Sequence, residues 1–331
     1  MGRPSIWPTG QPARTLASPG APALRRRQAL GLGLLCAALA PVRSWAEAAP
    51  SAPATTAPLR VVASFSVLAD MAREVGGDAV EVSALVGPNA DAHAFTPSPA
   101  HARRLLQADL VVVNGLGFEG WIDRLVRATG YSGPVVVATQ GLTPRRAGPH
   151  ADPHAWQSLV HAQRYAENLR AAFVKARPAQ AADLGRRAAD YTRRLATLDS
   201  SIRSRLAAVP MSERVVVTSH DAFGYFAEAY GVRFQAAQGW NSASEASAAD
   251  VAGLIRQLKG QRVRALFVEN INDPRLLERI AKEAGATVGG TLYSDALSAP
   301  GTAADTYLRL MAHNADTLLA ALRPPADASR R

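Results

Sequence analysis

The sequence has almost no cysteine. Cys36 is the only one among 331 residues, and it lies in an apolar run near the N-terminus. If that N-terminal segment is removed after export, the mature chain contains none. Disulfide bonds and thiolate metal ligands are then both excluded. Any metal ion that this protein binds must be held by histidine and carboxylate side chains.

The first 46 residues lack acidic side chains and contain six arginines. The segment "LRRRQALGLGLLCAALAPVRSWAEA" has a basic start, an apolar run of about a dozen residues and small residues near its end, which is typical of a secretory signal. We therefore expect residues 1–46 to be a signal peptide that directs the chain to the periplasm. Arg26 and Arg27 resemble a twin-arginine signal, and an ordinary Sec signal is the alternative. Leu35 before Cys36 argues against a lipoprotein anchor.

Neither a long apolar run nor a strongly basic surface is present. The apolar run of the signal is too short to span a bilayer, so we expect no stable membrane insertion. The formal charge of +10 comes largely from the leader, and the rest of the chain has 31 basic and 27 acidic residues. This balance indicates an ordinary soluble surface and no nucleic-acid partner. The apolar fraction of 48% is ample for a folded core.

Strand and helix patterns alternate along the chain after a Pro/Ala/Thr-rich tether at residues 47–58. Apolar, β-branched runs predict eight strands: Leu59–Phe65, Val80–Val86, Asp109–Asn114, Pro134–Ala138, Arg214–Ser219, Val232–Ala236, Val263–Glu269 and Thr287–Tyr293. Helix signals lie between them, including Ser98 before Pro99, a capping box at Ser247–Asp250, and a segment from Pro274 to Gly285. The pattern predicts two α/β sandwich lobes with mainly parallel sheets, at residues 59–177 and 209–331.

A long helix is predicted between the lobes, over residues 178–208. Its apolar residues follow a 4-3-4-3-4 spacing that places them on one helical face: Leu184, Ala188, Tyr191, Leu195, Leu198 and Ile202. About 30 residues at 1.5 Å each give roughly 45 Å, enough to run along both lobes. We interpret this helix as a rigid connection within a monomer. A coiled-coil dimer is the alternative, but the apolar pattern from Leu184 to Ile202 spans fewer than three heptads.

Two motifs resemble well-known catalytic or cofactor-binding signatures. "GLGFEG" at 115–120 fits G-x-G-x-x-G, but no acidic residue follows about 20 positions later, and Glu119 would repel a pyrophosphate. "SHD" at 219–221 contains the residue types of a serine hydrolase, but a triad is assembled from separated positions and no G-x-S-x-G is present. Neither motif predicts an enzyme.

Four polar residues share a position that suits ligand binding. His93, His154 and His220 follow predicted strands, and so does Asp295; open α/β sheets bind ligands beyond the carboxyl ends of their strands. Three imidazoles and one carboxylate suit a borderline divalent cation such as zinc, and four protein ligands leave no position for a catalytic water. In "HADPHAW", Pro153 makes a helical pairing of the two histidines improbable. We expect the remaining helical histidines to be solvated: His101, His161 and His313.

Several segments resemble one family along essentially the whole mature chain. They include "LVGPNADAHAFTPSPAHARRL", "DPHAWQS", "VVTSHDAFGYFAEAYG" and "LFVENINDPRLLERIAKEAGATVGGTLYSDALS". These segments look like the solute-binding proteins of ABC importers for zinc and manganese, the ZnuA/TroA type. The resemblance implies two α/β lobes joined by a backbone helix, with the metal between them as transported substrate. It also implies a membrane permease and its ATPase as partners.

The resemblance assigns the ligands and suggests the metal. The family motifs place the ligands at His93, His154, His220 and Asp295, and leave His150 as a loop residue or an auxiliary capture site. The segment before "DPH" is short, whereas many zinc-specific members carry a long His-rich loop there. Histidine rather than glutamate at position 220 favours zinc, so we expect Zn²⁺, with Mn²⁺ as the alternative. A secreted zinc hydrolase with an open three-ligand site is the competing functional class.

Overall fold

The computed structural model describes residues 57–237, 239, 247–261 and 265–322. The predicted signal peptide at 1–46 and most of the predicted tether lie outside these residues. No helix within the described ranges is both long enough and apolar enough to cross a membrane.

A parallel sheet of four strands forms the first lobe. Its strands are β1 (Leu59–Phe65), β2 (Val80–Val86), β3 (Leu110–Val113) and β4 (Val135–Val137), and their spatial order is β2-β1-β3-β4. All four residues of β3, "LVVV", are buried. A continuous apolar strand of this kind is typical of a parallel sheet that is covered on both faces.

The second lobe repeats the same strand order. Its sheet contains β7 (Val215–Thr218), β8 (Arg233–Ala236), β9 (Ala265–Glu269) and β10 (Thr287–Leu292), in the order β8-β7-β9-β10. The strand pairs within this sheet are parallel. Two parallel-sheet α/β lobes are therefore present, as the sequence predicts, and each sheet brings the carboxyl ends of its strands to one edge.

Helices cover the sheets, and a small hairpin follows the last strand of the first sheet. The hairpin pairs β5 (Arg146–Ala147) with β6 (His150–Ala151). The helices are α1 (Ser66–Gly76), α2 (Pro99–Leu106), α3 (Ile122–Thr129), α4 (Leu159–Ala176), α5 (Ala181–Ala207), α6 (Gly224–Tyr230), α7 (Ala248–Gln261), α8 (Arg275–Ala284) and α9 (Tyr307–Leu322).

The long helix α5 connects the two lobes. Its 27 residues extend about 40 Å, and it packs against α1 and α4 of the first lobe and against α6 and α9 of the second. The predicted buried stripe is correct at every residue, Ile202 included, except Leu198, which is only half-buried while Asp199 is buried instead. A straight helix has 3.6 residues per turn, so a 3.5-residue pattern drifts off the buried face. Asp199 accepts hydrogen bonds from Tyr230 and Arg203, which satisfy its buried carboxylate.

The predicted helix starts agree with the structure to within one residue. Ser98 caps α2 and Pro99 is its first residue, and α7 begins directly after Ser247. α8 begins at Arg275, one residue after the predicted start, and ends at Ala284, directly before Gly285, which has φ 69°. A left-handed residue at this position is a common helix stop and favours glycine.

The prediction of solvated helical histidines is wrong, since all three are half-buried. Nδ1 of His101 accepts a hydrogen bond from the backbone N–H of Ser98, completing the capping box of α2. The ring of His161 contacts the ring of Tyr225, and Nε2 of His313 lies 3.1 Å from the carbonyl oxygen of Thr291. Each imidazole is therefore partly covered by the residues that it contacts. The residue types beside these histidines in the sequence did not indicate such contacts.

Candidate metal centre

The four predicted site residues come together at the boundary of the two lobes. His93 follows β2 and His154 follows the β5–β6 hairpin, whereas His220 follows β7 and Asp295 follows β10. One ligand atom from each residue lies within 4.8 Å of those of the other three. The carboxyl ends of both sheets thus supply polar side chains to one cluster.

The distances within this cluster are those of donors around one small cation. Nε2 of His93 lies 3.2 Å from Nε2 of His154 and 3.2 Å from Oδ2 of Asp295. Nε2 of His220 lies 3.2 Å from that same oxygen, and Nε2 of His154 lies 3.8 Å from Oδ1. Donors at tetrahedral corners about 2.0–2.1 Å from zinc would be ~3.3–3.4 Å apart. The separations are therefore compatible with a four-coordinate ion.

The cluster is closed to water. The side chain of His93 is 1% exposed, and those of His154, His220 and Asp295 are 0% exposed. Close burial of three imidazoles and a carboxylate requires compensation, because desolvated polar groups are costly without partners. A cation among the four donors would supply it.

His154 is oriented by the loop that precedes it. Its Nδ1 lies 2.8 Å from Oδ1 of Asp152, and the same oxygen accepts a hydrogen bond from its backbone N–H. The amide of Asn114 donates to the carbonyl of Pro153 and fixes the turn between them. A carboxylate at Nδ1 selects the tautomer in which Nε2 carries a lone pair, and so prepares the imidazole as a ligand.

His220 has an equivalent partner from a neighbouring strand. Glu269, the last residue of β9, accepts a hydrogen bond from the backbone N–H of His220 and places Oε2 2.6 Å from its Nδ1. This places a second histidine–carboxylate pair behind the cluster. Both pairs leave the two Nε2 atoms facing the other donors.

His93 and Asp295 are held mainly through their backbones. The backbone N–H of His93 donates to Asp91, and the indole of Trp121 donates to the carbonyl of Ala92. On the other side, the carbonyl oxygen of Ser294 accepts hydrogen bonds from Trp156 and Gln157, which directly follow the His154 loop.

These contacts join the loop that carries His154 to the loop that carries Asp295. Residues from both lobes are therefore tied together immediately beside the cluster.

The electrostatics of the cluster favour positive charge. Burial lowers the pKa of His93, which keeps that imidazole neutral. Burial would also lower the pKa of His220, but the carboxylates of Glu269 and Asp295 raise it well above its ordinary value. Although burial opposes the charge of Asp295, His220 and His154 hold its pKa well below the usual range.

A charge count gives the same conclusion. With neutral imidazoles, the buried carboxyl groups of Asp152, Glu269 and Asp295 lie around the cluster, whereas the one guanidinium beside them, that of Arg145, is shared with Glu228. Carboxylate therefore exceeds positive charge around the cluster, and a divalent cation would offset the excess.

The G-x-G-x-x-G segment has a structural role in the described fold. Glu119 is buried and accepts hydrogen bonds from the side chain of Ser64 and from the backbone N–H groups of Asn114 and Gly115. The backbone N–H groups at the start of this loop are therefore already bound to a carboxylate. The segment stabilises the end of β3, and this leaves the side chain of Asn114 free to hold the His154 loop.

The structure separates the two histidines of the segment "HADPHAW". His150 is exposed on β6 and lies outside the four-residue cluster, whereas His154 is buried within it. Sequence reasoning did not identify Asp152 and Glu269 as partners of the histidines. Glu269 is the last residue of a predicted strand, whereas the four site residues follow strands, so a rule extended to the strand ends themselves could have found it.

Comparison with known proteins agrees with this geometry. Residues 61–321 match the ZnuA family, described as zinc-uptake complex component A, periplasmic. The chain belongs to the ZnuA family. Members of this family are metal-binding substrate-binding proteins of ABC importers and are not enzymes.

Three proteins that are similar to this chain are named for different metals. The manganese-binding lipoprotein MntA of Bacillus subtilis (strain 168) is 34% identical over 275 residues, covering 80% of this chain and 90% of MntA. The iron-binding protein YfeA of Yersinia pestis is 33% identical over 283 residues, covering 83% and 90%. The structure of the periplasmic zinc-binding protein TroA from Treponema pallidum superposes with a TM-score of 0.78 at 29% identity, covering 81% of this chain and all of TroA.

These relatives are named for different metals, manganese, iron and zinc, so family membership establishes metal binding without selecting the ion. The choice of ion depends on the four donor side chains of this chain. A hydrolytic site would need an open coordination position and a carboxylate facing it. Among the described residues, Asp152 and Glu269 instead point at the outer nitrogens of the histidines.

Proposed function

We propose that this protein captures a divalent cation in the periplasm, zinc in preference to manganese, and delivers it to a membrane permease and its ATPase. The ligands are His93, His154, His220 and Asp295. The observation that carries the proposal is the convergence of three imidazoles and one carboxylate in a single buried cluster between the lobes. The ion is cargo, and no chemical step is required of it.

Capture proceeds by replacing hydration water with these four groups. In our proposal, the N-terminal lobe, residues 59–177, presents His93 and His154, and the C-terminal lobe, residues 209–331, presents His220 and Asp295. Residues 178–208 keep the lobes connected while the cleft opens and closes. Release requires the lobes or their loops to separate, because the donors are closed to solvent in the described state.

The preference for zinc follows from donor chemistry. Imidazole nitrogen suits zinc, whereas manganese prefers sites richer in carboxylate and carbonyl oxygen. Three of the four proposed ligands are imidazoles. In addition, the donor spacing fits a four-coordinate ion, and tetrahedral coordination is usual for zinc.

A competition experiment tests the choice of metal. Metal-free protein is equilibrated with zinc at one equivalent and manganese in tenfold excess, and the metal content of the washed protein is then measured. We expect about one zinc ion per chain, and a melting temperature that rises on loading, because binding to the native state adds RT ln(1 + [L]/Kd) to the free energy of unfolding. Retention of manganese instead would overturn the preference, and retention of neither metal would overturn the proposed function.

A further inference from the structure

Arg145 links the proposed site to the surface of the other lobe. It lies in the short segment before β5 and reaches two carboxylates at once. Its Nη1 donates to Oδ2 of Asp152 at 2.7 Å, and its Nε donates to Oε1 of Glu228 on α6 at 2.9 Å. Asp152 is buried, whereas the side chain of Glu228 is 62% exposed.

The inner end of this link, Asp152, contacts a metal-ligand candidate, His154. Asp152 uses one oxygen for Arg145 and the other for Nδ1 of His154. Removing the guanidinium would leave a buried carboxylate whose remaining contacts are to the ring and backbone N–H of His154, and such a group is free to rotate or admit water. The direction of the His154 ring therefore depends on Arg145 through Asp152.

The packing around the guanidinium shows that this place is built for it. A Cβ atom on Gly224 would lie 1.8 Å from Nη1 of Arg145 and 2.8 Å from Oδ2 of Asp152. Only glycine at the start of α6 lets the guanidinium lie against the helix backbone. The hydroxyl of Tyr225 accepts a hydrogen bond from the backbone N–H of Arg145 and donates to the carbonyl of Asp152.

Helix α6 begins four residues after His220, so these contacts also concern the other half of the site. Arg145 binds the loop of one proposed ligand and the helix that follows another. Closure of the lobes and alignment of His154 are therefore coupled through Arg145.

We propose that Arg145 is a positioning residue for metal capture, which acts on His154 through Asp152 and ties that half of the site to α6. This inference rests on the proposed function, since it takes His154 as a ligand. Partners behind metal-binding histidines typically contribute 10–100-fold to affinity when mutated. Arg145 is one contact further away, so we expect an effect of about tenfold. Most of it should appear as faster release of the ion.

The test compares two neighbouring arginines. Arg145→Gln and Arg146→Gln remove the same charge, but Arg146 is an exposed residue whose guanidinium donates to the carbonyl of Pro149. Zinc affinity and release rate are measured by chelator competition, and the absorption spectrum of the cobalt-loaded protein reports the ligand geometry. We expect Arg145→Gln to weaken zinc binding about tenfold and to alter the cobalt spectrum. Arg146→Gln should stay within about twofold of the unmodified protein, with an unchanged spectrum.

Two further variants make the assignment specific. Arg145→Lys keeps a donor for Asp152 and should recover part of the affinity and the cobalt spectrum. Combining Arg145→Gln with Asp152→Asn should cost much less than the product of the two single effects, because both changes act on His154 through the same contact.

Equal behaviour of Arg145→Gln and Arg146→Gln, with zinc still bound, would overturn the inference and leave the proposed function intact. A weaker affinity with an unchanged cobalt spectrum and a lower melting temperature of the metal-free protein would also overturn it, by assigning Arg145 a purely structural role. Failure of the unmodified protein to bind zinc would instead remove the proposed function.

Discussion

Alanine in place of any one of the four clustered residues is expected to weaken zinc binding by at least about tenfold. Asp295→Ala should have the largest effect, because all three imidazoles lie within 3.8 Å of its carboxylate. That variant also removes the one charged donor and leaves three desolvated imidazoles to face the ion. Dissociation constants from chelator competition give the measurement.

His150→Ala is the matched control for His154→Ala. The two histidines are four residues apart, but His150 is exposed and lies outside the cluster. We expect its removal to change the affinity by less than about twofold. Equal losses at positions 150 and 154 would contradict the assignment of the ligand within this loop.

Acidification from pH 7.5 to 5.5 is expected to weaken zinc binding by at least about a hundredfold. A protonated imidazole cannot bind a metal, so each proton that the ion must displace costs a factor of ten per pH unit below the pKa of the metal-free site. The pKa of His220 is raised by Glu269 and Asp295 despite its burial, so this histidine contributes over the whole range. Asp295 adds nothing to the slope, because the histidines keep its pKa well below its ordinary value.

The slope of this profile depends on the identity of the ligands. His93 should begin to contribute only at lower pH, since burial lowers its pKa. His220→Glu replaces the imidazole by a carboxylate and should give a shallower profile together with weaker zinc binding. Zinc dissociation constants at pH 7.5, 6.5 and 5.5 provide the comparison. A flat profile for the unmodified protein would contradict a three-histidine site.

The strands could be predicted from the sequence because their apolar runs are short and bounded by turns. β1 and β2 begin and end at the predicted residues, and β3, β4, β7, β8 and β10 are shorter than predicted by one or two residues. β9 ends at the predicted residue Glu269, and the first two predicted residues of that strand, 263–264, lie outside the described residues. The prediction of the buried stripe on α5 was less accurate, since Asp199 is buried at the position where Leu198 was expected. Sequence periodicity alone does not determine how a long helix rotates against two lobes.

The proposed ligands could be selected because position in the chain carries information in parallel α/β sheets. Residues that follow parallel strands lie at the carboxyl edge of the sheet. This rule selected both His93 and Asp295, which are 202 positions apart in sequence and lie in the same cluster. The orienting partners were not predicted. Glu269 and His220 are 49 residues apart, and nothing in the sequence specifies that these two meet. Arg145 was missed for the same reason.

The most direct test of the proposed site is a crystal structure of the zinc-loaded protein with anomalous data at the zinc absorption edge. We expect one strong anomalous peak between the lobes, about 2.0–2.2 Å from Nε2 of His93, His154 and His220 and from a carboxylate oxygen of Asp295, with no water completing the coordination. A principal peak away from these four atoms, or a water molecule in place of Asp295, would contradict the account.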